Sequence, residues 1–414
     1  MLDQRYSKLL QSSLRFLTLC LCVSVVNSNR LKAQTLSFPA TRADQQQVIQ
    51  VDFDMPLNLR TVCFSTDGKT LYVGGYKQVL VWSLTDAKLA HTITDASLTG
   101  MITAMTVSPD GKLLAVSGST PAASSSPVIL IDPLSNNRIT SIEQSGDCVM
   151  AMAVTNDGKQ LAVGTYDGNF TLWDMNTFKQ VKNFPQQGYA ISDITFDEKD
   201  TWLAVSNRGG QVQAFELAED YPIKINKTME DAVTSLLFEN GKTVNLAIAV
   251  GRDKERSVRL LNAKNPRRAR KFGGTPDMPL DIAWAPKSKT AYLAGSDGNI
   301  VSWARMGRVD KTFKGHSDWV TAIALSPDEK LLASVSLDGT TKIWEASKGL
   351  LLATLLKPSP QKNDWLFISS LGYFNASSVE LVRFFEQPDA AQSALRKQWL
   401  DPKQINEHLG FNAK

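Results

Sequence analysis

Residues 315–344 read GHSDWVTAIALSPDEKLLASVSLDGTTKIW, and the order of residue types within them is that of a series of short strands. An apolar run, VTAIAL, ends at the polar turn Ser326-Pro327-Asp328. LLASVS follows as a second strand, Asp338-Gly339 makes a second turn, and TTKIW closes a third strand on a large residue. Asp-Gly supplies the positive φ that tight turns between strands need. The pattern returns as VCFSTDGKTLYVGGYKQVLVW from Val62 to Trp82 and as MAVTNDGKQLAVGTYDGNFTLW from Met152 to Trp173. Looser copies fill the intervals, among them ITFDEKDTWLAVSNRGGQVQAF and IAWAPKSKTAYLAGSDGNIVSW.

Aligned, the copies place Trp82, Ile131, Trp173, Phe215, Leu260, Trp303 and Trp344 at one position, with spacings of 49, 42, 42, 45, 43 and 41 residues. Such a period marks a repeat architecture. Another strand-like run, such as KLAHTI, FKQVKNF or RVDKTF, follows each copy, so each unit has four short strands. A sheet of that size cannot bury both faces alone, whereas seven around an axis cover one another and leave few long edges. The predicted fold is all-β: a seven-bladed β-propeller of four-stranded antiparallel blades over 58–356. The alternative is eight blades, the last built from both termini, with VIQVDF at 48–53 and part of the tail as its strands.

The pattern resembles the WD-repeat family of propellers, and the tail motif DWLFISSLGYFNAS resembles a segment that follows or completes the propeller in many bacterial members, which implies a bacterial type, taken as exported on the leader read below. The name dipeptide occurs as Trp173-Asp174 and the family's Gly-His as Gly315-His316. The resemblance implies a hydrogen-bonded chain inside the last blade formed by His316, Ser334 or Ser336, Asp338 and Trp344. It also implies a non-catalytic protein-binding scaffold, with partners seated on the face formed by the d–a and b–c loops. On this chain those loops carry Tyr76, Tyr166, Tyr189, Arg252, Met278 and Trp319. Trp319, exposed beside His316, is the favoured contact.

Charge and cysteine usage set the compartment. The first 15 residues are net basic and are followed by the apolar run FLTLCLCVSVV, too short to span a bilayer. Residues 1–33 therefore read as a signal peptide cut after Ser28 or Ala33, and the mature chain as exported to the periplasm or beyond, with no transmembrane segment. Without that leader the chain holds 40 basic and 40 acidic residues, so its net charge favours no partner. Cys63 and Cys148 remain, on non-adjacent blades, and are expected to be free thiols. Residues 34–57 form an N-terminal segment able to supply a closing strand, and 357–414 an extension with two short helices, one opening at Pro388 and one capped by Asp401-Pro402.

The histidines at 91, 316 and 408 have no ligand spacing, no haem, nucleotide or nucleophile motif occurs, and the Asp-Gly pairs are turn residues. Neither cofactor nor metal is expected. The competing reading is a propeller enzyme with an axial metal or cofactor site, which needs several acids converging on the axis. One basic cluster, Arg252, Lys254, Arg256, Arg259, Arg267, Arg268, Arg270 and Lys271, covers the edge of the fifth blade. It reads as edge protection or as a patch for an anionic ligand. Nucleic acid is disfavoured because no aromatics interleave it. The insert STPAASSSP at 119–127 reads as an exposed loop.

Overall fold

The structure, a computed structural model, describes residues 34–42, 45–53, 57–118, 120, 125–184, 188–218, 220–239, 245–251, 256–262, 265–272, 277–304, 308–359, 361–384 and 387–411. The expected leader at 1–33 lies outside these residues.

Seven antiparallel sheets occupy residues 61–93, 104–145, 149–184, 191–228, 233–272, 279–314 and 320–356, each built from consecutive strands a to d. Strand a of each blade packs on strand a of the next, and Val320–Leu325 of blade seven packs directly on Thr61–Phe64 of blade one. The ring closes at seven. An eighth sheet does join the two termini, pairing Gln34–Arg42, Gln45–Phe53 and Arg383–Phe384, but it has three strands and is not interposed between blades seven and one.

The core lies in the seams between blades. In six blades a leucine of strand b, at 71, 114, 161, 203, 246 or 332, pairs across the sheet with the large residue of strand c and is fully buried. This pairing corrects the alignment in blade five. Leu246 faces Leu261, so Leu261 and not Leu260 holds the position of Trp82 and Trp344. A one-residue shift in a strand turns a side chain to the opposite face. Leu261 accordingly packs toward blade four, and Leu260 toward blade six.

Of the insert at 119–127, expected as a loop, residues 125–127 belong to strand c of blade two, Ser125–Ile131, while 119 and 121–124 lie outside the described residues. Among the described residues no strand is exchanged where the ring closes; the C-terminal extension lies across that seam instead. Leu366–Ser369 and Phe374–Ala376 add two strands to blade seven, making it six-stranded. Two helices follow, α1 (Asp389–Trp399) and α2 (Pro402–His408), the second capped by the Asp401 carboxylate accepting from the backbone of Lys403 and Gln404. Ile405 and Leu409 enter the apolar cluster that joins blades one and seven around Trp82, Leu352 and Phe367. Asn375 Nδ2 donates to Ala87 O at 3.1 Å and Asn406 Nδ2 donates to Thr85 O, so the tail grips the outer turn of blade one. The three-stranded sheet packs on this extension through Ile49 and Val51, against Ile368, Phe374 and Trp399.

Candidate functional site: the loop face and the networks beneath it

Blade seven contains a continuous hydrogen-bonded chain. Trp344 Nε1 donates to Ser334 Oγ at 2.8 Å, Ser334 Oγ meets His316 Nε2 at 2.8 Å, and His316 Nδ1 meets Asp338 Oδ2 at 2.9 Å. In the neutral imidazole that burial favours, the Ser334 hydroxyl accepts from the indole and donates to Nε2, and Nδ1–H donates to the Asp338 carboxylate. The ring is fully buried. Burial lowers the His316 pKa, against the opposing pull of Asp338. Burial pushes the Asp338 carboxyl up, but hydrogen bonds from His316, Thr340 and the Ser317 backbone outweigh it and hold the carboxyl well below the usual range. Of the two serines, Ser334 is the link; Ser336 Oγ instead donates to Asp318 O at 3.1 Å. Every imidazole nitrogen is engaged, which leaves His316 no free atom for chemistry.

Blade three has a different chain, which sequence reasoning missed. Trp173 Nε1 donates to Thr171 Oγ1 at 2.8 Å, and Thr171 Oγ1 donates to Gln144 Oε1 at 2.6 Å. Gln144 belongs to strand d of blade two and stands three residues before Asp147, where blade seven has Gly315 three residues before Asp318. A glutamine outside the motif therefore does the histidine's structural work.

Two carboxylates do converge on the inner strands. Asp193, Ser235 and Asp281 occupy equivalent bulged positions on strand a of blades four, five and six. Ser235 Oγ lies 2.8 Å from Asp193 Oδ2 and 3.2 Å from Asp281 Oδ1. Each carboxylate also takes a backbone N–H of the following blade: Leu236 N to Asp193 at 2.7 Å and Ile323 N to Asp281 at 2.8 Å. Burial pushes Asp193 up to about 7 and Asp281 up to about 6. All four carboxylate oxygens are engaged: Asp193 Oδ2 and both oxygens of Asp281 stitch to neighbouring blades, while Asp193 Oδ1 accepts from Ile194 N of its own strand. Among the described residues no group of three His, Cys, Asp or Glu side chains could hold a metal ion. Cys63 and Cys148 form no disulfide with one another, Cys148 Sγ lying 3.2 Å from Asp147 Oδ1, and burial pushes Cys63 up to about 12.

The d–a and b–c loops share one face, and the candidate contacts differ there in exposure. Tyr189 is 62% exposed and Tyr76 is 38% exposed. Tyr76 is anchored by a backbone bridge to Met101, and Lys77 Nζ lies 5.3 Å from its ring centroid. Trp319 is half-buried rather than exposed, and so are Tyr166 and Met278; Arg252 lies outside the described residues. Tyr189 is thus more exposed than Trp319 among the candidate contacts. Its ring lies over Gly209, where an added Cβ would stand 2.3 Å from Tyr189 Cδ2. The missing side chain at Gly209 thus makes the seat on which an exposed aromatic is held.

The basic cluster is not one stripe. Arg252 and Lys254 lie outside the described residues, and Arg267 and Arg268 are on strand d of blade five, Asn265–Phe272. Arg256 pairs with Asp277. Arg259 and Lys271 are cross-strand partners on one face, while Arg270 pairs with Leu260 on the other.

Comparison with known proteins matches two stretches of this ring. Residues 307–345 match the WD domain, G-beta repeat, and residues 122–199 match the WD40 domain of anaphase-promoting complex subunit 4. The chain carries WD repeats. It is 29% identical over 52% of its length to the Arabidopsis thaliana transcriptional corepressor LEUNIG_HOMOLOG, of which the match spans 27%. It is 24% identical over 66% of its length to the target of rapamycin complex subunit wat1 of Schizosaccharomyces pombe, spanning 73% of that protein. Nuclear distribution protein nudF of Aspergillus niger is 26% identical over 44% of this chain, and the match spans 36% of it. These relatives are eukaryotic, and none of them supports the bacterial, exported type expected from the tail motif and the leader.

Proposed function

We propose that the chain is a non-catalytic scaffold that binds protein partners on the face carrying Tyr76 and Tyr189. The observation that carries this reading is Tyr189, a large aromatic exposed at 62% yet seated on Gly209. An aromatic already ordered before binding buries much area for little further loss of entropy. The blade networks below are fully engaged in holding the ring, which suits a rigid platform. One relative is by name a subunit of a complex, which is in keeping with such a role.

Localisation rests on the basic and apolar leader alone, and on that ground export is part of the proposal. Among the described residues no helix is long and apolar enough to cross a membrane.

The test is affinity capture with the chain and with a Tyr76→Ala, Tyr189→Ala double variant of unchanged melting temperature. The scaffold reading expects specific partners to be lost with the double variant. An identical set captured at equal yield would move the binding surface elsewhere.

A further inference from the structure

Six blades bury a leucine on strand b opposite the large residue of strand c; blade six has Ala291 there, opposite Trp303. The shorter side chain leaves the seam between blades five and six underfilled, and Ala247 of blade five lines the same space. The result is a crevice of about 280 Å³. Trp284 and Trp303 form the wall from blade six, and Leu237, Val258 and Leu260 form the wall from blade five. Leu260 is the residue that the corrected register turns toward blade six.

The polar groups of the crevice are few and placed apart. Trp284 Nε1–H is buried with no acceptor among the described residues. Arg270, Lys289 and Glu239 stand around the space, and the Glu239 carboxylate accepts from Asn245 Nδ2 at 3.0 Å. Lys289 lies in the a–b turn of blade six, so the crevice belongs to the face opposite Tyr76 and Tyr189. Apolar walls with a small number of placed polar groups are the usual make-up of small-molecule sites. Two cationic side chains, Arg270 and Lys289, against one acid, Glu239, give the lining a net positive charge, which favours an anionic group at the rim.

We propose that this crevice binds a small planar apolar molecule that carries a carboxylate or sulfonate. The ring lies between the tryptophan wall and Leu260, an acceptor atom meets Trp284 Nε1–H, and the anionic group meets Arg270 and Lys289. The site is independent of the partner-binding face.

The probe is 8-anilinonaphthalene-1-sulfonate, titrated fluorimetrically into the full chain, with uncharged N-phenyl-1-naphthylamine as comparator. The expected result is one saturable site per chain. Ala291→Leu restores the residue the other blades use, and is expected to weaken the sulfonate by about tenfold or more while the melting temperature holds or rises. Ala247→Leu fills the space from the other wall and serves as the second variant should Ala291→Leu prove unstable. Arg270→Glu with Lys289→Glu is expected to weaken the sulfonate and leave the uncharged dye unchanged. Binding that survives both filling substitutions overturns the site. Equal effects of charge reversal on both dyes overturn the anionic ligand.

Discussion

Replacing His316 by alanine tests the chain of bonds in blade seven. The substitution removes the acceptor of the Ser334 hydroxyl and the Nδ1–H donor of Asp338, both in a site from which water is excluded. Asp338 keeps its bonds from Thr340 and the Ser317 backbone, so the loss there is partial. Each orphaned group costs about 1–3 kcal/mol, and about 3 kcal/mol is expected for the pair. For roughly 300 residues of ring, an unfolding entropy of about 2.1 cal/mol/K per residue converts this to a fall of about 5 °C in melting temperature. The readout is calorimetry at a fixed scan rate, run with Ser334→Ala and the double variant. Because the two residues share one chain, the double variant is expected to be less destabilised than the sum of the singles. The pH profile has a definite sign. A neutral imidazole with a lowered pKa contributes stability that is present above its unfolded value of about 6.5 and is lost as pH falls below it. The depressed Asp338 carboxyl adds to this, with stability present above the ordinary carboxylate range and lost as pH falls through and below it. His316→Ala is therefore expected to flatten the loss of stability just below neutrality. A melting temperature within about 1 °C of the parent, or strict additivity with Ser334→Ala, would refute the chain.

Gly209→Ala places a Cβ in the seat of Tyr189 and is expected to weaken partner capture as Tyr189→Ala does, with less than about 1 kcal/mol of destabilisation; unchanged capture would show that the seat is irrelevant. Asp193→Ser copies the residue blade five uses at this position. A carboxyl raised to about 7 contributes stability at low pH that is lost as pH rises through that value. The difference in melting temperature, variant minus parent, is therefore expected to increase between pH 5 and pH 8, and a constant difference would contradict the burial of the charge. Deleting residues 361–414 uncovers Trp82 and Leu352. Faster amide hydrogen exchange is expected in strand d of blade one, Lys88–Ile93, and unchanged protection would mean that the tail does not hold the seam.

The repeat was legible because its signals are local. Asp-Gly turns and an apolar strand end at a period near 42 residues need no knowledge of neighbours, and they led to the all-β ring. Blade five shows the limit: Leu260 and Leu261 are both large and apolar, and only the pairing to Leu246 decides which faces which blade. Gln144 was hidden for a related reason. Its partners come from the next blade, 27 and 29 residues on, and a motif search looks for the histidine that it replaces. The stitch from Asp193 through Ser235 to Asp281 joins side chains 42 and 46 residues apart, and it shows as a pattern only once the bulged position of each strand a is aligned. Trp319 was over-ranked because a tryptophan in a turn looks exposed in sequence, whereas Tyr189 owes its prominence to Gly209, a residue with no side chain to read.

The way the C-terminal extension covers the seam where the ring closes bears on how this chain is made. Blade one is complete once residue 93 has left the ribosome, yet the residues that cover its flank, Phe367, Ile405 and Leu409, come up to roughly 320 residues later. At about 5–20 residues per second, that flank stays uncovered for on the order of 15–60 s. A growing chain thus carries an adhesive surface through most of its synthesis, and its need for a chaperone should end only when the last helix emerges.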